Sequence, residues 1–497
     1  MSEPISVTST SGDSGGASFR AVLSNRNFLY LWMAQLFSQL AQQMINYAVF
    51  LQVSDLTQAS STATAGIIIC FTLPAVFFSA IAGVFVEHQS KKRMLVATNI
   101  GRGVLVLFYI LTVAIPHLDA VFGLPILYIN TLIFSTVSQF FAPAEAAMIP
   151  LIVKRDKLIA ANSLFNLTLT ASQLIGFVFL GPLLLRLVGY RFLYVVLFAF
   201  FALCAWLTWR LPDADAAAAE EETGDGMRAK LRFAWDELKE GWTFIRSDAA
   251  LMIAIVYWSV AISVFFMMAT LGPKFLQDVL HVDPTHLYFI LVPGGIGLVA
   301  GVVLVGRFAT ERNRTVLINY GLLAAGIGLL LLALTYNTVH FVAGLIGSVP
   351  GPTTVSISQV IIGGLALFLG IFNSFISVPA QTVLQERAPE DIRARVFGAF
   401  YTVCNALLIL PLVVAGAMAD FIGVLPTMVI IAVLVLVVAG VGLAYQRAHQ
   451  GILAGPGGDG PGPGLSGEPE ALVPGTIAVE MPHIHPGGAD RPPAPRP

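Results

Sequence analysis

Twelve long apolar runs, separated by short polar segments, make up most of this 497-residue chain. Each run is about 20 residues long, which is the length an α-helix needs to cross a hydrocarbon core of about 30 Å. The pattern therefore predicts an all-α membrane protein with twelve transmembrane helices. The predicted spans are residues 28–52, 63–86, 94–115, 123–145, 163–185, 191–209, 250–271, 287–306, 316–336, 356–378, 396–418 and 424–445.

The Lys and Arg residues fall mostly in alternate connecting segments, and this asymmetry predicts the orientation of the chain. Three basic residues at 91–93 follow the second run and Arg447 follows the twelfth, whereas the opposite loops contain only Arg186, Arg191 and Lys274. Basic loops stay on the cytoplasmic side, so both termini are predicted to be cytoplasmic. An even number of spans requires the same result.

The composition agrees with a membrane location. Hydrophobic residues make up 56% of the chain and charged residues 11%, so a soluble fold would lack polar residues for its surface. We therefore expect a multi-pass protein of the cell membrane. The sequence shows no metal-ligand cluster, phosphate-binding loop or nucleophile elbow, so we expect no enzymatic activity, no metal, no cofactor and no nucleic acid partner.

A polar segment divides the twelve runs six and six, and this division predicts two bundles related by a pseudo-repeat. We assign residues 20–211 to an N-terminal six-helix bundle, 212–248 to a cytoplasmic linker and 249–447 to a C-terminal six-helix bundle. The flanking segments 1–19 and 448–497 are predicted to be disordered tails. Paired halves of this kind place a binding site near the membrane midplane, between the bundles.

The second part of the linker is predicted to form an amphipathic helix. Leu231, Trp235, Leu238, Trp242 and Ile245 recur at helical spacing with charged residues between them. This apolar stripe has two interpretations. Either the helix lies on the cytoplasmic face of the membrane with its Trp rings at the interface, or it packs beneath the domain.

Polar side chains inside the spans are costly in lipid, so their positions predict which helices face a water-filled cavity. Gln35, Gln39, Gln42, Gln43 and Asn46 fall on one face of the first helix. The alternative is that these amides only form hydrogen bonds with neighbouring helices. The seventh helix adds aromatic and Met side chains, which suit either an apolar pocket or plain packing. The predicted substrate-binding residues are Gln35, Gln39, Gln42, Asn46, Gln139, Asn166, Gln173, Tyr257, Asn373, Ser377 and Asn405.

The loop after the second run carries a motif that resembles the Gly-x-x-x-Asp-Arg-x-Gly-Arg-Arg signature of the major facilitator superfamily. It differs from the signature at the acid, at the next residue and at the second glycine, and its sequence is Gly83-Val-Phe-Val-Glu87-His88-Gln-Ser90-Lys91-Lys92. The resemblance covers about residues 20–447 and implies transport by alternating access of the two bundles. It also implies a cytoplasmic gate, to which we assign Gly83, Glu87, Lys91, Lys92, Arg93 and Arg102.

Further motifs resemble the bacterial subgroup that contains enterobactin-type and macrolide exporters. They are Phe141-Ala-Pro143-Ala144-Glu145, Pro379-Ala-Gln381 and Arg393-Ala-Arg395. Members of the subgroup commonly have Arg at the position of Glu145 and Gly at that of Ala394, so the gate chemistry differs here. The resemblance implies that the protein works in the direction of efflux.

Two ionisable residues inside the spans are candidates for gating and coupling. Arg102 lies about two turns inside the third span and needs an acceptor, for which Glu87 is the best candidate. The alternative is an Arg102 side chain that extends to the interface without a partner. Glu145, near the cytoplasmic end of the fourth span, is a candidate proton carrier or, alternatively, part of a gate ion pair.

Together these features predict a secondary active transporter. It would export small amphipathic molecules, drug-like or siderophore-like, by alternating access with proton antiport. The alternative is an uncoupled facilitator or importer of a neutral polar solute, which the lack of acids at the midplane favours. The expected partners are a small-molecule substrate, membrane lipid and, under the antiport hypothesis, protons. We expect a monomer.

Overall fold

The computed structural model describes residues 22–87, 89–115, 122–213, 227–308, 314–345, 352–389 and 392–448, which form helices with no strand among them. The α-helices are α1 (Arg26–Leu56), α2 (Ser61–Glu87), α3 (Lys91–Ala114), α4 (Leu124–Gln139), α5 (Phe141–Ile152), α6 (Leu158–Gln173), α7 (Gly181–Trp209), α8 (Met227–Ser247), α9 (Ala249–Lys274), α10 (Tyr288–Phe308), α11 (Arg314–Leu345), α12 (Pro352–Arg387), α13 (Arg393–Ile422) and α14 (Val424–Ala448). Two π-helical turns, Leu174–Leu180 and Phe275–Val279, join α6 to α7 and extend α9. The predicted tails, apart from Ala448, lie outside the described residues.

Ten segments of the described chain are long and apolar enough to cross a membrane. The helix α1 is not among them because its amide side chains lower its mean hydropathy. One of the ten, Ala160–Trp209, is interrupted at Gly189, where the backbone φ of 72° breaks the helix. Glycine adopts this left-handed conformation without the steric cost of a Cβ atom. The predictions of an all-α architecture and a multi-pass protein of the cell membrane are therefore confirmed.

Aromatic side chains fill the centre of the N-terminal set of helices, α1 to α7. Tyr109 of α3 stacks on Tyr194 of α7 with ring centroids 5.5 Å apart, and Phe134 of α4 meets Phe201 of α7 edge to face at 5.8 Å. All four side chains are completely buried. Such ring pairs add about 0.5–1.5 kcal/mol to the free energy gained by burial. They join α3, α4 and α7 into one packed unit.

Glycines bring α10 and α12 into backbone contact within the C-terminal set of helices, α9 to α14. A methyl group added at Gly297 would overlap the carbonyl group of Leu367. One added at Gly301 would lie 2.6 Å from the carbonyl oxygen of Ile371. Small residues at these positions let the helix axes approach closely, which is how helices commonly associate where lipid surrounds them.

The linker helix α8 packs beneath the C-terminal helices. Ile245 is completely buried in a cluster with Val396 and Phe400 of α13, and Trp242 packs against the same cluster. Trp235 remains 58% exposed. The helix is therefore arranged as the second interpretation of its apolar stripe predicts.

Ion pairs and close backbone contact hold α8 in this position. The Arg395 guanidinium donates to Glu237 Oε1 at 2.9 Å and to Glu240 Oε2 at 2.7 Å. A Cβ atom at Gly241 would lie 2.7 Å from the carbonyl carbon of Arg395. Glycine is thus required where α8 crosses the start of α13.

We predict that Gly297→Ala destabilises the protein, because its methyl group must push α10 away from α12. Overpacking of this kind costs about 1–3 kcal/mol, so the thermal midpoint of the purified protein should fall by several degrees. The matched control is Gly306→Ala on the same helix, where an added methyl group meets nothing within 4 Å. Equal midpoints for the two variants would show that the close approach is unimportant.

Candidate functional site

Amide side chains of α1 form a connected hydrogen-bond network. Ser138 Oγ of α4 donates to Gln42 Oε1 at 2.9 Å, and Gln42 Nε2 donates to Asn46 Oδ1 at 3.3 Å. Asn46 Nδ2 in turn donates to Gln43 Oε1 at 3.4 Å. The three amides are only partly buried, so donors and acceptors remain for a ligand. This network is the polar part of the candidate site.

Gln35, one predicted binding residue, instead connects two helices. It is 2% exposed, and its Nε2 donates to the carbonyl oxygen of Phe165 in α6 at 3.3 Å. A second bond from Trp32 Nε1 to Thr168 Oγ1 at 2.8 Å holds the same two helices together. The alternative of plain interhelical hydrogen bonding therefore fits Gln35.

Most other predicted binding residues have accessible side chains. Asn166 and Gln173 are exposed, and they lie two turns apart on α6 with Thr170 between them on the same face. Gln139 is partly buried and its Nε2 donates to the carbonyl oxygen of Ser135 at 3.4 Å. The partly buried members of the predicted set also include Gln39, Ser377 and Asn405.

Tyr257 and Asn373 make contacts between helices of the C-terminal set. The Tyr257 hydroxyl donates to Asn319 Oδ1 of α11 at 2.9 Å, and the side chain is 7% exposed. Asn373 Nδ2 donates to the carbonyl oxygen of Ala261 at 3.1 Å. For Tyr257 this geometry corresponds to the packing alternative, because its one hydroxyl group is already paired inside the bundle.

An apolar cavity of about 100 Å³ lies among the C-terminal helices. Phe265 and Met268 of α9 line it, together with Leu369 of α12 and Val178 from the π-helical turn of the N-terminal set. Asn373 supplies the single polar side chain among its lining residues. The Met and aromatic residues of α9 thus form part of an apolar pocket, as one interpretation of the sequence expects.

Arg102 is enclosed within the N-terminal helices. It is 2% exposed, its Nη2 donates to Asn99 Oδ1 at 2.8 Å, and its Nε donates to the carbonyl oxygen of Thr98 at 3.4 Å. The guanidinium carbon lies 4.3 Å from the ring centroid of Phe141 and 5.0 Å from that of Phe201. The expectation of a partnerless side chain reaching the interface is therefore wrong, since amide, carbonyl and aromatic groups surround the cation.

Glu145 lies near this cation and is itself buried. The side chain is 4% exposed, and its Oε1 accepts no hydrogen bond from any residue that the structure describes. It interacts electrostatically with Arg102. A buried carboxyl group beside a buried cation suits either a proton carrier or a gate pair, so both hypotheses for Glu145 remain.

Only part of the predicted cytoplasmic gate lies among the side chains that the structure describes. The Glu87 side chain lies outside the described side chains, so its proposed contact with Arg102 stays a prediction. Lys92 Nζ pairs with Asp213 Oδ2 at 3.3 Å, and Ser90 Oγ accepts from the backbone nitrogen of Arg93 at 3.4 Å as the cap of α3. A Cβ atom at Gly83 would meet nothing within 4 Å.

The two sets of helices meet firmly at the other end of α2. Asp420 of α13 accepts hydrogen bonds from the backbone nitrogens of Ser61 and Thr62, each at 2.9 Å. Arg186 of α7 donates to the hydroxyl group of Tyr288 in α10, and its guanidinium also lies 4.9 Å from that ring's centroid. None of these was singled out for a role from the sequence. One signal was available, because Asp420 is one of very few acids within or close to the end of an apolar run.

One known protein family matches most of the chain. A model of the Major Facilitator Superfamily matches residues 31–410. The chain belongs to the major facilitator superfamily. It is thus a membrane transporter, and the family predicted from its motifs is confirmed.

Individual relatives of this transporter include efflux proteins. It is 20% identical over 403 residues to macrolide efflux protein A of Streptococcus pyogenes, covering 80% of this chain and 90% of the relative. It is 23% identical over 406 residues to the multidrug efflux pump Tap of Mycolicibacterium fortuitum, covering 79% of this chain and 88% of the pump. The crystal structure of the nucleoside transporter NupG has the same fold, with a TM-score of 0.60 and 13% identity over 84% of this chain and 99% of NupG.

We predict that Gln42→Ala weakens substrate binding without destabilising the transporter, because Gln42 is partly accessible and joins Ser138 to Asn46. A hydrogen bond between Gln42 and the substrate would be worth about 1 kcal/mol, so its loss should raise KM for a transported dye several-fold. The matched comparison is Gln35→Ala, which should lower the thermal midpoint and leave KM unchanged. If the two variants behave alike, the amides of α1 serve packing only.

We also predict that Arg102→Ala impairs both folding and transport. The substitution leaves Glu145 and Asn99 buried without their cation, and removing one member of a buried charge pair costs about 3 kcal/mol or more. Arg102→Lys should recover part of the loss, since it restores the charge but not the planar group between two rings. Transport per folded molecule and the thermal midpoint measure the two effects. Normal transport by a well-folded Arg102→Ala variant would remove Arg102 from the gate.

Proposed function

We propose that this transporter exports small amphipathic molecules, drug-like or siderophore-like, by proton antiport. The observation that carries the proposal is that the helices present two surfaces of opposite chemistry. The Gln42–Asn46–Gln43 network presents neutral hydrogen-bonding groups, whereas the cavity lined by Phe265 and Met268 presents apolar ones. A molecule with one polar and one apolar face satisfies both surfaces.

The proposed topology has twelve spans with both termini in the cytoplasm. The ten apolar segments become twelve when α1 is included and when the long segment is divided at Gly189. The basic residues at 91–93 then lie on the cytoplasmic side, as the positive-inside rule requires. In this topology the start of α2 and the end of α13 face the outside.

Alternating access follows from this topology. The outer side is closed in the present conformation, because Asp420 and Tyr288 join the two halves there. At the inner end of α2, a Cβ atom added at Gly83 would meet nothing within 4 Å. We propose that this conformation is an inward-facing state, in which an exporter receives substrate from the cytoplasm or the inner leaflet.

The proposed direction and substrate class are supported by the relatives. Macrolide efflux protein A and the multidrug efflux pump Tap are named for export, and each matches about four fifths of this chain. The substrate is proposed to be uncharged, or cationic and only weakly fixed by charge, because the predicted binding residues are neutral and aromatic side chains flank them. Membrane lipid surrounds the protein, which we propose to act as a monomer.

For coupling we propose Glu145 as the proton carrier. Its buried carboxyl group has an unpaired oxygen and lies in the field of Arg102, so neither of its protonation states is fully stabilised. A proton that binds Glu145 removes the interaction with Arg102, and its release restores that interaction. Such a group connects protonation to the arrangement of α3 and α5, which carry Arg102 and Glu145.

An uncoupled facilitator or importer of a neutral polar solute is the second candidate. The neutral character of the α1 network favours it, because amides hydrogen-bond polar solutes without requiring a charge. Under this reading Glu145 and Arg102 form a gate pair and bind no transported proton.

Inside-out vesicles separate the two candidates. We expect them to accumulate a radiolabelled macrolide or a fluorescent dye when their interior is acidified, and to lose this accumulation when the pH gradient is collapsed. The gradient supplies the driving force only if protons move in exchange for substrate. Equal accumulation of the probe with and without the gradient would contradict the antiport hypothesis and favour the facilitator.

The same vesicles test the role of Glu145. We expect Glu145→Gln to carry out gradient-independent exchange of the probe while losing gradient-driven accumulation. The control Asp236→Asn removes an exposed acid on α8 that has no part in the gate, so it should keep full accumulation. Accumulation by Glu145→Gln that still follows the pH gradient would assign coupling to another group.

A further inference from the structure

The carboxylate of Asp420 caps a helix that belongs to the other half of the transporter. The first backbone N–H groups of an α-helix have no partner within the helix. In α2 those of Ser61 and Thr62 donate to Asp420, and that of Ala63 donates to Ser60 Oγ at 3.2 Å. Three of the unpaired N–H groups are thus satisfied, two of them by a side chain from the C-terminal half.

Further groups bind the same carboxylate. Ser60 Oγ donates to Asp420 Oδ2 at 2.8 Å, and Lys274 Nζ of α9 donates to Oδ1 at 2.9 Å. The carboxylate therefore accepts four hydrogen bonds, one of them charge-assisted by an ammonium group. It also lies at the positive end of the α2 dipole, where an anion is favoured. The contact is consequently strong. It exists only while the two halves are together at this end.

A glycine one turn before the acid makes this contact possible. A Cβ atom at Gly416 would lie 2.8 Å from the carbonyl oxygen of Ser61 and 3.1 Å from the Cβ atom of Ala65. Any larger residue would hold α13 away from α2, and Asp420 would then fail to reach the helix start. The glycine and the acid therefore act as one device.

The spacing of this device repeats that of the motif at the opposite end of α2. Gly416-Ala-Met-Ala-Asp420 has its acid four residues after the glycine, as Gly83-Val-Phe-Val-Glu87 does. Each pair lies near the C-terminal end of its helix, the first in α13 and the second in α2. The two helices α2 and α13 thus both end in a glycine and an acid.

We propose that Gly416 and Asp420 form the latch of the outer gate and hold the transporter with its outer side closed. This inference rests on the proposed topology, in which the end of α13 faces outside. When the halves separate, Asp420 leaves the N-terminus of α2, and water must take over its hydrogen bonds. The strength of this contact, together with that of Arg186 and Tyr288, then sets how often the outer gate opens, and Lys274 keeps the carboxylate in position from within its own half.

Hydrogen–deuterium exchange of the full-length protein in lipid nanodiscs tests the latch. In Asp420→Asn we expect the amides at the start of α2 to exchange about tenfold faster, since the charge-assisted contact is lost. We also expect slower exchange at the inner ends of α2 and α13, because molecules shifted to the outward-open state bring those ends together. A plain helix cap would produce the first change without the second.

Matched variants complete the test. Asp278→Asn is the control, because Asp278 lies 3.9 Å from Lys274 but is not among the residues bound to the start of α2, and it should change neither region. Lys274→Gln serves as the second variant and should produce both changes in weaker form. Faster exchange confined to the start of α2, or the same inner protection in Asp278→Asn, would overturn the latch.

A separate measurement isolates the topology on which the latch depends. Phe421 is 95% exposed and lies next to Asp420. Phe421→Cys in intact cells should react with a membrane-impermeant maleimide. Failure to react would overturn the proposed topology and the outer position of the gate, while the exchange experiment would still decide whether Asp420 couples the two ends of α2.

Discussion

Water is absent from the hydrocarbon core, and this constraint shapes the transporter more than any other. A polar group in a span must find its partner within the protein or carry a large free-energy cost. Arg102 meets this demand with Asn99, a backbone carbonyl and two aromatic rings, all inside the N-terminal half. Where the demand is met only in part, as at Glu145 and in the Gln42 network, a proton or a substrate has something left to bind.

The two ends of the molecule satisfy their polar groups in different ways. At the outer end, opposite halves satisfy each other's groups, as Asp420 does for the first turn of α2. At the inner end, a Cβ atom added at Gly83 would meet nothing within 4 Å, and the nearby Lys92 pairs with Asp213.

Hydropathy and motifs predicted the fold class, the family and the amphipathic linker helix, because these depend on composition and period along one helix. Side-chain partners were harder to predict because they depend on how helices are rotated about their axes. Tyr257 and Gln35 carry the polar groups expected of a binding site, yet both point into helix contacts. The acceptor of Arg102 lies three residues earlier on its own helix, a local partner that helical periodicity makes available but does not require.

The π-helical turn at Leu174–Leu180 determines which side chains within and beyond it face the other half of the transporter. Each added residue rotates an α-helix by about 100°, so the wider turn changes which face meets the other half. Before the turn, α6 presents Asn166 and Gln173; within and beyond it, Val178 packs against Gly295 and Arg186 reaches Tyr288. If one residue were removed from this turn, the side chains beyond it would rotate by about 100° and face other directions. The outer contact between the halves therefore depends on the number of residues in this turn.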